Sequence, residues 1–180
     1  MADVKILAPF ILKWEGGFVN HPNDPGGATN KGVTIAVWKS QGYDKDGDGD
    51  IDVSDLKLIT ANDATKILKS NYWNRWFADQ IENQAVANTL VDWVWGSGAW
   101  GIKIPQRLLG IKEDGIVGYV TVNALNKAIK EDKIGFITKL YKARYDYLDS
   151  IIKSNSKLAV FKTGWLNRMK DLEKFNQKYL

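Results

Sequence analysis

Apolar residues recur at three- and four-residue spacing from the start of the chain. Ile6, Leu7, Phe10, Ile11 and Trp14 fall on one stripe, which predicts an amphipathic helix over residues 3–15 with Asp3 as its N-cap. Gly16-Gly17 ends it. Residues 16–32 are dense in Gly, Pro, Asn and Asp and predict a loop or short hairpin. Helical patterning resumes over 34–41 and near 54–58. Thr60, with Asp63 three residues on, predicts a capping box opening a helix through Trp73 and beyond. Val86, Ala87, Leu90, Val91 and Val94 mark another helix, which stops at Gly96-Ser97-Gly98. The second half predicts a short helix over 105–109, a turn at Asp114-Gly115-Ile116-Val117-Gly118, and a helix capped by Thr121. Two long helices follow. One carries Ile134, Ile137, Leu140, Tyr141, Tyr145, Leu148 and Ile152, the other Phe161, Trp165, Leu166, Met169, Leu172 and Phe175. No stretch alternates long enough to demand a sizeable sheet, so the expected fold is mainly α, with a short hairpin or loop after the first helix.

At 180 residues the chain makes one large domain or two small ones. A boundary near residues 96–101 divides 1–95 from 96–180, and the two parts are expected to pack as one body. Apolar residues at 44% and charged residues at 26% give the balance of a globular chain with a real core, not of a disordered one. The absence of cysteine excludes disulfides, thiol catalysis and Cys-based zinc sites. No apolar run approaches the ~20 residues that span a bilayer. The N-terminus, with an early acid, a Lys on either side of its apolar stretch and no small-residue cleavage site, is a poor signal peptide. The net charge of +4 is uneven: residues 1–90 hold 9 Lys and Arg against 12 Asp and Glu, residues 91–180 hold 16 against 9. The basic half suits an anionic polymer, and cell-wall glycan and nucleic acid both qualify.

Glu15 is the first candidate for chemistry. It falls on the last turn of an apolar helix, beside Trp14 and before two glycines. The helix C-terminus and an apolar setting both disfavour an ionised carboxylate, as a general acid at neutral pH requires. Gly16 and Gly17 have no side chains to obstruct a bulky polymer. A glycosidase needs a second polar group to hold water or to stabilise an oxocarbenium-like transition state. Asp24, nine residues on, is the nearest in sequence, and Thr29 and Thr34 are candidates to position water. His21, the one histidine, lies between Glu15 and Asp24, within reach of substrate or simply exposed. The plainer readings are a solvated helix-end Glu15 and an Asp24 that caps the Pro25-Gly26-Gly27 turn. Among the aromatics, Tyr72, Trp73, Trp76 and Phe77 read mostly as core, with room for one sugar-stacking ring. Asp92 on an apolar helix invites a search for its partner, and Arg168 beside Trp165 is a candidate to bridge the two halves. Dinucleotide-binding, P-loop and nucleophile-elbow motifs are absent.

The segment Glu15-Gly16-Gly17-Phe18-Val19-Asn20, followed by Asp24-Pro25-Gly26-Gly27-Ala28-Thr29-Asn30-Lys31-Gly32-Val33-Thr34, resembles the signature of glycoside hydrolase family 108. That family contains lysozyme-like N-acetylmuramidases, some described as secretion activators or phage endolysins. Leu108-Leu109-Gly110, Asp114-Gly115-Ile116-Val117-Gly118, Thr121 and Gly164-Trp165-Leu166-Asn167-Arg168 resemble the peptidoglycan-binding region that accompanies it. The resemblance covers nearly the whole chain. It implies a lysozyme-like fold, hydrolysis of the β-1,4 bond between N-acetylmuramic acid and N-acetylglucosamine, and Glu15 as the catalytic acid. Phage-type lysozymes space Glu, Asp and Thr with eight and then five intervening residues. Glu15 and Asp24 fit the first gap; the second lands on Asn30, with Thr29 one position short and Thr34 a rival. The implied partner is the peptidoglycan glycan strand, met in the periplasm or outside the cell. Without a recognisable signal peptide, the route there would be holin-like or otherwise non-standard, or the chain would stay cytoplasmic until lysis. A non-catalytic, secretion-associated peptidoglycan binder is the alternative. A nucleic-acid binder ranks last, because it explains neither the Glu-Gly-Gly segment nor the acidic loop.

That loop, residues 44–55, reads Asp-Lys-Asp-Gly-Asp-Gly-Asp-Ile-Asp-Val-Ser-Asp. It matches an EF-hand at positions 1, 3 and 5 (Asp44, Asp46, Asp48), at the position-6 glycine (Gly49) and at the apolar position 8 (Ile51). Asp50 would give its backbone carbonyl, Asp52 would act through water, and Asp55 stands where Glu is usual; dockerin-type calcium loops also carry Asp there. So many carboxylates in twelve residues repel one another unless a cation intervenes. The expectation is a structural Ca2+.

Overall fold

The computed structural model describes residues 1–20 and 27–180. These pack as two compact units, residues 4–71 and residues 72–180 together with 1–3. Mainly α structure is confirmed, with one two-stranded sheet among the described residues.

In the smaller unit, α1 (Val4–Trp14) buries Leu7, Phe10 and Ile11, the centre of the stripe seen in the sequence. The hairpin pairs β1 (Thr29–Asn30) with β2 (Val33–Thr34), antiparallel, Thr29 opposite Thr34. Its two turn residues, Lys31 and Gly32, have φ of 50° and 75°, the positive pair a tight two-residue turn requires. Helices α2 (Ile35–Gln41), α3 (Val53–Leu58) and α4 (Ala61–Leu68) follow. Trp38, Leu56, Ile59, Ala64 and Ile67 join Ala28 and Val33 in one core cluster, against which Leu12 and Ile51 pack. Gly42 lets the chain turn off α2 across the Trp38 ring; a Cβ there would lie 2.4 Å from the indole. The predicted capping box is present: the Thr60 hydroxyl accepts from the Asp63 N–H (3.2 Å), and the Asp63 carboxylate accepts from the Thr60 N–H (2.8 Å).

The helix expected to run through Trp73 does not. It leaves α geometry after Leu68, passes through a π turn (Lys69–Trp73), and breaks up into 3₁₀ turns at Asn74–Trp76 and Ala78–Gln80. Phe77, between the latter two, has φ 48°, which no right-handed helix accommodates. The interruption is compatible with burying both Trp73 and Trp76 completely, and Trp73 Nε1 donates to Asp79 (2.8 Å).

The larger unit is built on α5 (Gln84–Ser97), capped by Asn83 and buried at every residue from Ala85 to Val94. A helix buried on all sides is a core helix, and its polar residues Asn88, Thr89 and Asp92 must find partners inside the protein. Alongside it run α6 (Trp100–Leu108), α7 (Tyr119–Ser154) and α8 (Lys162–Asn176). α6 begins five residues before the expected start. Thr121 does not cap the next helix: Gly118 holds that position, and Thr121 is buried inside α7. The preceding turn is fastened by buried Gln106, which donates to Asp114 (2.9 Å) and to the Ile116 carbonyl (3.0 Å) and accepts from the Gly115 N–H (2.9 Å). α7 is two helices joined at Asp132, where φ −157°, ψ 80° leaves the helical range. The Asp132 carboxylate accepts from the Gly135 N–H (2.8 Å), as an N-cap does for the second segment. Phe161 lies in a 3₁₀ turn (Ser156–Phe161) ahead of α8, not within it.

Two polar clusters join these helices. Asp92 of α5, fully buried, receives Arg144 of α7 (2.8 Å) and Arg168 of α8 (2.7 Å). Burial opposes ionisation of Asp92, but the two guanidinium groups outweigh it and hold the carboxyl below the usual range. Below them, buried Asn176 donates to Thr89 Oγ1 (3.1 Å) and Tyr141 Oη (3.0 Å) and accepts from Asn88 (2.9 Å). No helix among the described residues is long and apolar enough to cross a membrane. Asp92→Ala strands the buried Arg144 and the half-buried Arg168 and is expected to cost about 3–5 kcal/mol. Urea unfolding of the variant against wild type measures the loss.

Candidate active site and acidic loop

Glu15 continues α1 by one residue: its N–H donates to the Ile11 carbonyl (3.1 Å). Both Glu15 and Trp14 are half-buried. Gly16 and Gly17 are exposed, and among the described residues nothing lies within 4 Å of where a Cβ would stand on either. The chain is then pinned to the hairpin. Val19 and Thr29 exchange both backbone hydrogen bonds at 2.8 Å, so the segment that leaves Glu15 comes back beside β1. The hairpin is anchored in turn by Asn30, buried in β1, whose side-chain N–H groups donate to the carbonyls of Leu56 (2.8 Å) and Lys57 (3.3 Å) at the end of α3. Lys57 also sets its ammonium 5.3 Å over the Phe18 ring.

Thr29 is half-buried in β1. Thr34 caps α2, its hydroxyl accepting from the Val37 N–H (3.3 Å). Its oxygen therefore has a structural task whatever else it does. His21 and Asp24 lie outside the described residues. Glu15, Gly16, Gly17 and Thr29 are thus carried by two strands of chain that touch at the Val19–Thr29 bridge.

The acidic loop between α2 and α3 folds on its own carboxylates. Asp44 accepts from the N–H groups of Gly47 (2.6 Å) and Gly49 (2.9 Å), Asp46 from Asp48 (3.2 Å), and Asp48 from Asp50 (3.1 Å). Gly49, at the position that demands glycine in a calcium loop, has φ 99°. The carboxylates gather in two groups, Asp44 with Asp46 and Asp48, and Asp50 with Asp52 and Asp55, each with one oxygen per residue within 4.8 Å of the others. Desolvation, then the nearby acids, push Asp46 upward; Asp48 is the main cause of the upward shift at Asp50. Asp55 differs. It is buried, and the N–H groups of Asp52 (2.8 Å) and Lys45 (2.5 Å) hold its carboxyl below the ordinary value. The hard-oxygen triad of Asp44, Asp46 and Asp48 is the donor set that suits a divalent cation.

An ion pair the sequence did not disclose ties this loop to α4. Lys45 Nζ lies 2.8 Å from Asp63, which also accepts from Tyr43 Oη (3.2 Å). Burial opposes ionisation of Asp63, yet Lys45 and the Thr60 N–H and hydroxyl prevail, and its carboxyl sits far below the usual range. The only local signal was the capping-box spacing of Thr60 and Asp63; an eighteen-residue separation from Lys45 has no periodicity to reveal it.

The sequence profile described as Glycosyl hydrolase 108 matches residues 8–98, half of the chain. The chain belongs to glycosyl hydrolase family 108. A second profile, described as Predicted Peptidoglycan domain, matches residues 100–170 of this family member. The solved structure of Brucella abortus SagA is similar at 29% identity, covering 98% of this chain and 94% of that one, with a TM-score of 0.72. No curated protein matches the chain. The glycosyl hydrolase fold is therefore the lysozyme-like, mainly α one the sequence resemblance implied.

A depressed carboxyl contributes stability above its unfolded value near ~4 and loses it as pH falls toward the folded value. Asp63→Asn is accordingly expected to cost about 1–3 kcal/mol at neutral pH and to flatten the acid limb of the stability curve. Denaturant titrations of both proteins from about pH 7 to about pH 3 check the slope.

Proposed function

We propose that this glycosyl hydrolase cleaves the β-1,4 linkage between N-acetylmuramic acid and N-acetylglucosamine in peptidoglycan, with Glu15 as its general acid. The placement of Glu15 carries the reading: a half-buried carboxylate on the last turn of an apolar helix, beside Trp14, opening onto two exposed glycines. Glu15 gives its proton to the glycosidic oxygen as the C–O bond breaks. Asp24 stabilises the developing oxocarbenium ion or activates the incoming water, with Thr29 positioning that water. Gly16 and Gly17 admit the strand, and His21 and Thr34 border it. The site of action is the peptidoglycan, in the periplasm or outside the cell.

Glu15→Gln keeps shape and loses the proton. It is expected to fold normally and to release reducing ends from sacculi at least about 10²-fold more slowly. Mass spectrometry of the digest separates reducing-end products from anhydro products. Full activity in Glu15→Gln overturns the assignment, and sedimentation with sacculi without cleavage by either protein supports a non-catalytic binder instead.

The acidic loop is proposed to hold a structural Ca2+. Asp44, Asp46 and Asp48 would hold the ion, with the Asp50 carbonyl and Asp55 completing the set, and the cation would offset the mutual repulsion of these groups. Saturating calcium is expected to raise stability by about 2 kcal/mol, and Asp48→Asn to remove most of that gain. Thermal unfolding in calcium and in chelator measures both.

A further inference from the structure

The profile over residues 100–170 names a polymer but no place for it to bind. Within the larger unit, one groove between α6 and the second segment of α7 has a volume of about 620 Å³, in the range of sites that enclose small organic groups. Its α6 wall is Trp100, Ile104 and Leu108; its α7 wall includes Tyr147 and Ile151. Arg107, Asp146, Ser150 and Ser154 give it a polar margin.

The groove has a rigid aromatic platform. Trp100 is 48% exposed, unlike Trp38, Trp73, Trp76 and Trp93, all buried. It is nonetheless held in place. Its ring lies 6.3 Å from that of Tyr147, which lies 6.2 Å from that of buried Trp93 in α5. The start of α6 is pressed onto α5: a Cβ on Gly101 would stand 2.6 Å from the Val94 nitrogen. Only glycine permits that approach, and it fixes the residue before it. At the margin, Arg107 is oriented by a two-point pairing with Glu113, both contacts at 2.8 Å, through Nε and Nη2, with Nη1 outside the fork.

A preset indole and a tyrosine ring with hydroxyls, a carboxylate and a guanidinium along the edge match the two sides of an amino sugar. The C–H face of a pyranose packs on the ring, and its hydroxyl and acetamido groups bond to the margin. The surrounding charge also fits: residues 100–170 carry 14 Lys and Arg against 6 Asp and Glu, whereas peptidoglycan carries carboxylates. We infer that the Trp100–Tyr147 groove is a glycan-strand binding site on the larger unit, which takes N-acetylated amino sugars of peptidoglycan. The inference rests on the reading of peptidoglycan as substrate.

Sedimentation of the full chain with purified sacculi on ice, with no turnover, tests it. Trp100→Ala removes the platform, and Ser150→Trp fills the groove from an exposed position without disturbing the core. Each is expected to weaken binding about tenfold. Tyr119→Ala, which alters an 80% exposed aromatic outside the groove, is expected to bind as wild type does. Sacculi stripped of stem peptides are expected to be bound as well as intact ones, and soluble chitin oligomers to compete weakly. Wild-type binding by both groove variants overturns the inference. So does loss of binding on removal of stem peptides, or concentration-dependent dimerisation that Trp100→Ala abolishes, which would assign the groove to a second copy. Reducing-end release by Glu15→Gln reports on the catalytic reading separately, so either assignment can fail while the other stands.

Discussion

A carboxylate with no exposure to water must find its counter-charge within the protein. Asp92 finds two, Arg144 and Arg168, 52 and 76 residues further along the chain. Neither guanidinium could be withdrawn without leaving a buried charge, so α7 and α8 are held against α5 by electrostatics as well as by apolar contact. The Asn88–Asn176–Thr89 cluster repeats the logic with neutral groups. Apolar side chains permit sliding; buried polar groups fix register, because only one alignment satisfies them all. The setting of Trp100 and Tyr147 depends on this order, since both are braced against α5.

The smaller unit is governed by backbone freedom. Two exposed glycines follow Glu15, two residues of positive φ turn the hairpin, and Gly49 turns the acidic loop. Hydrogen bonds then fix what the glycines allow: the Val19–Thr29 bridge, Asn30 on the end of α3, and Lys45 with Asp63. Helix α1 gives Glu15 a firm base, and the exposed backbone of Gly16-Gly17 follows it. The family match gives this arrangement its chemical setting, a glycosyl hydrolase with a peptidoglycan-related second part.

The sequence by itself determined whatever is decided within a turn or two of chain. The stripe of α1, the Thr60–Asp63 capping box, the stop at Gly98 and the run of apolar positions in α5 are local patterns, and each is found in the structure. Glu15 and the Asp-rich loop were legible for the same reason, as residue types at fixed short spacing. Tertiary structure alone decided which groups meet across long separations. Thr121 satisfies the rule for a cap, yet Gly118 takes that place and Thr121 is drawn into the core beside Gln106. The helix pattern running to Trp73 gives way to π and 3₁₀ turns. The partners of Asp92, the anchoring of Asn30 and the platform under Trp100 have no signature in spacing. Periodicity reports which face of an element is apolar; the free energy of burying a charge or an indole is settled only when distant elements close around it.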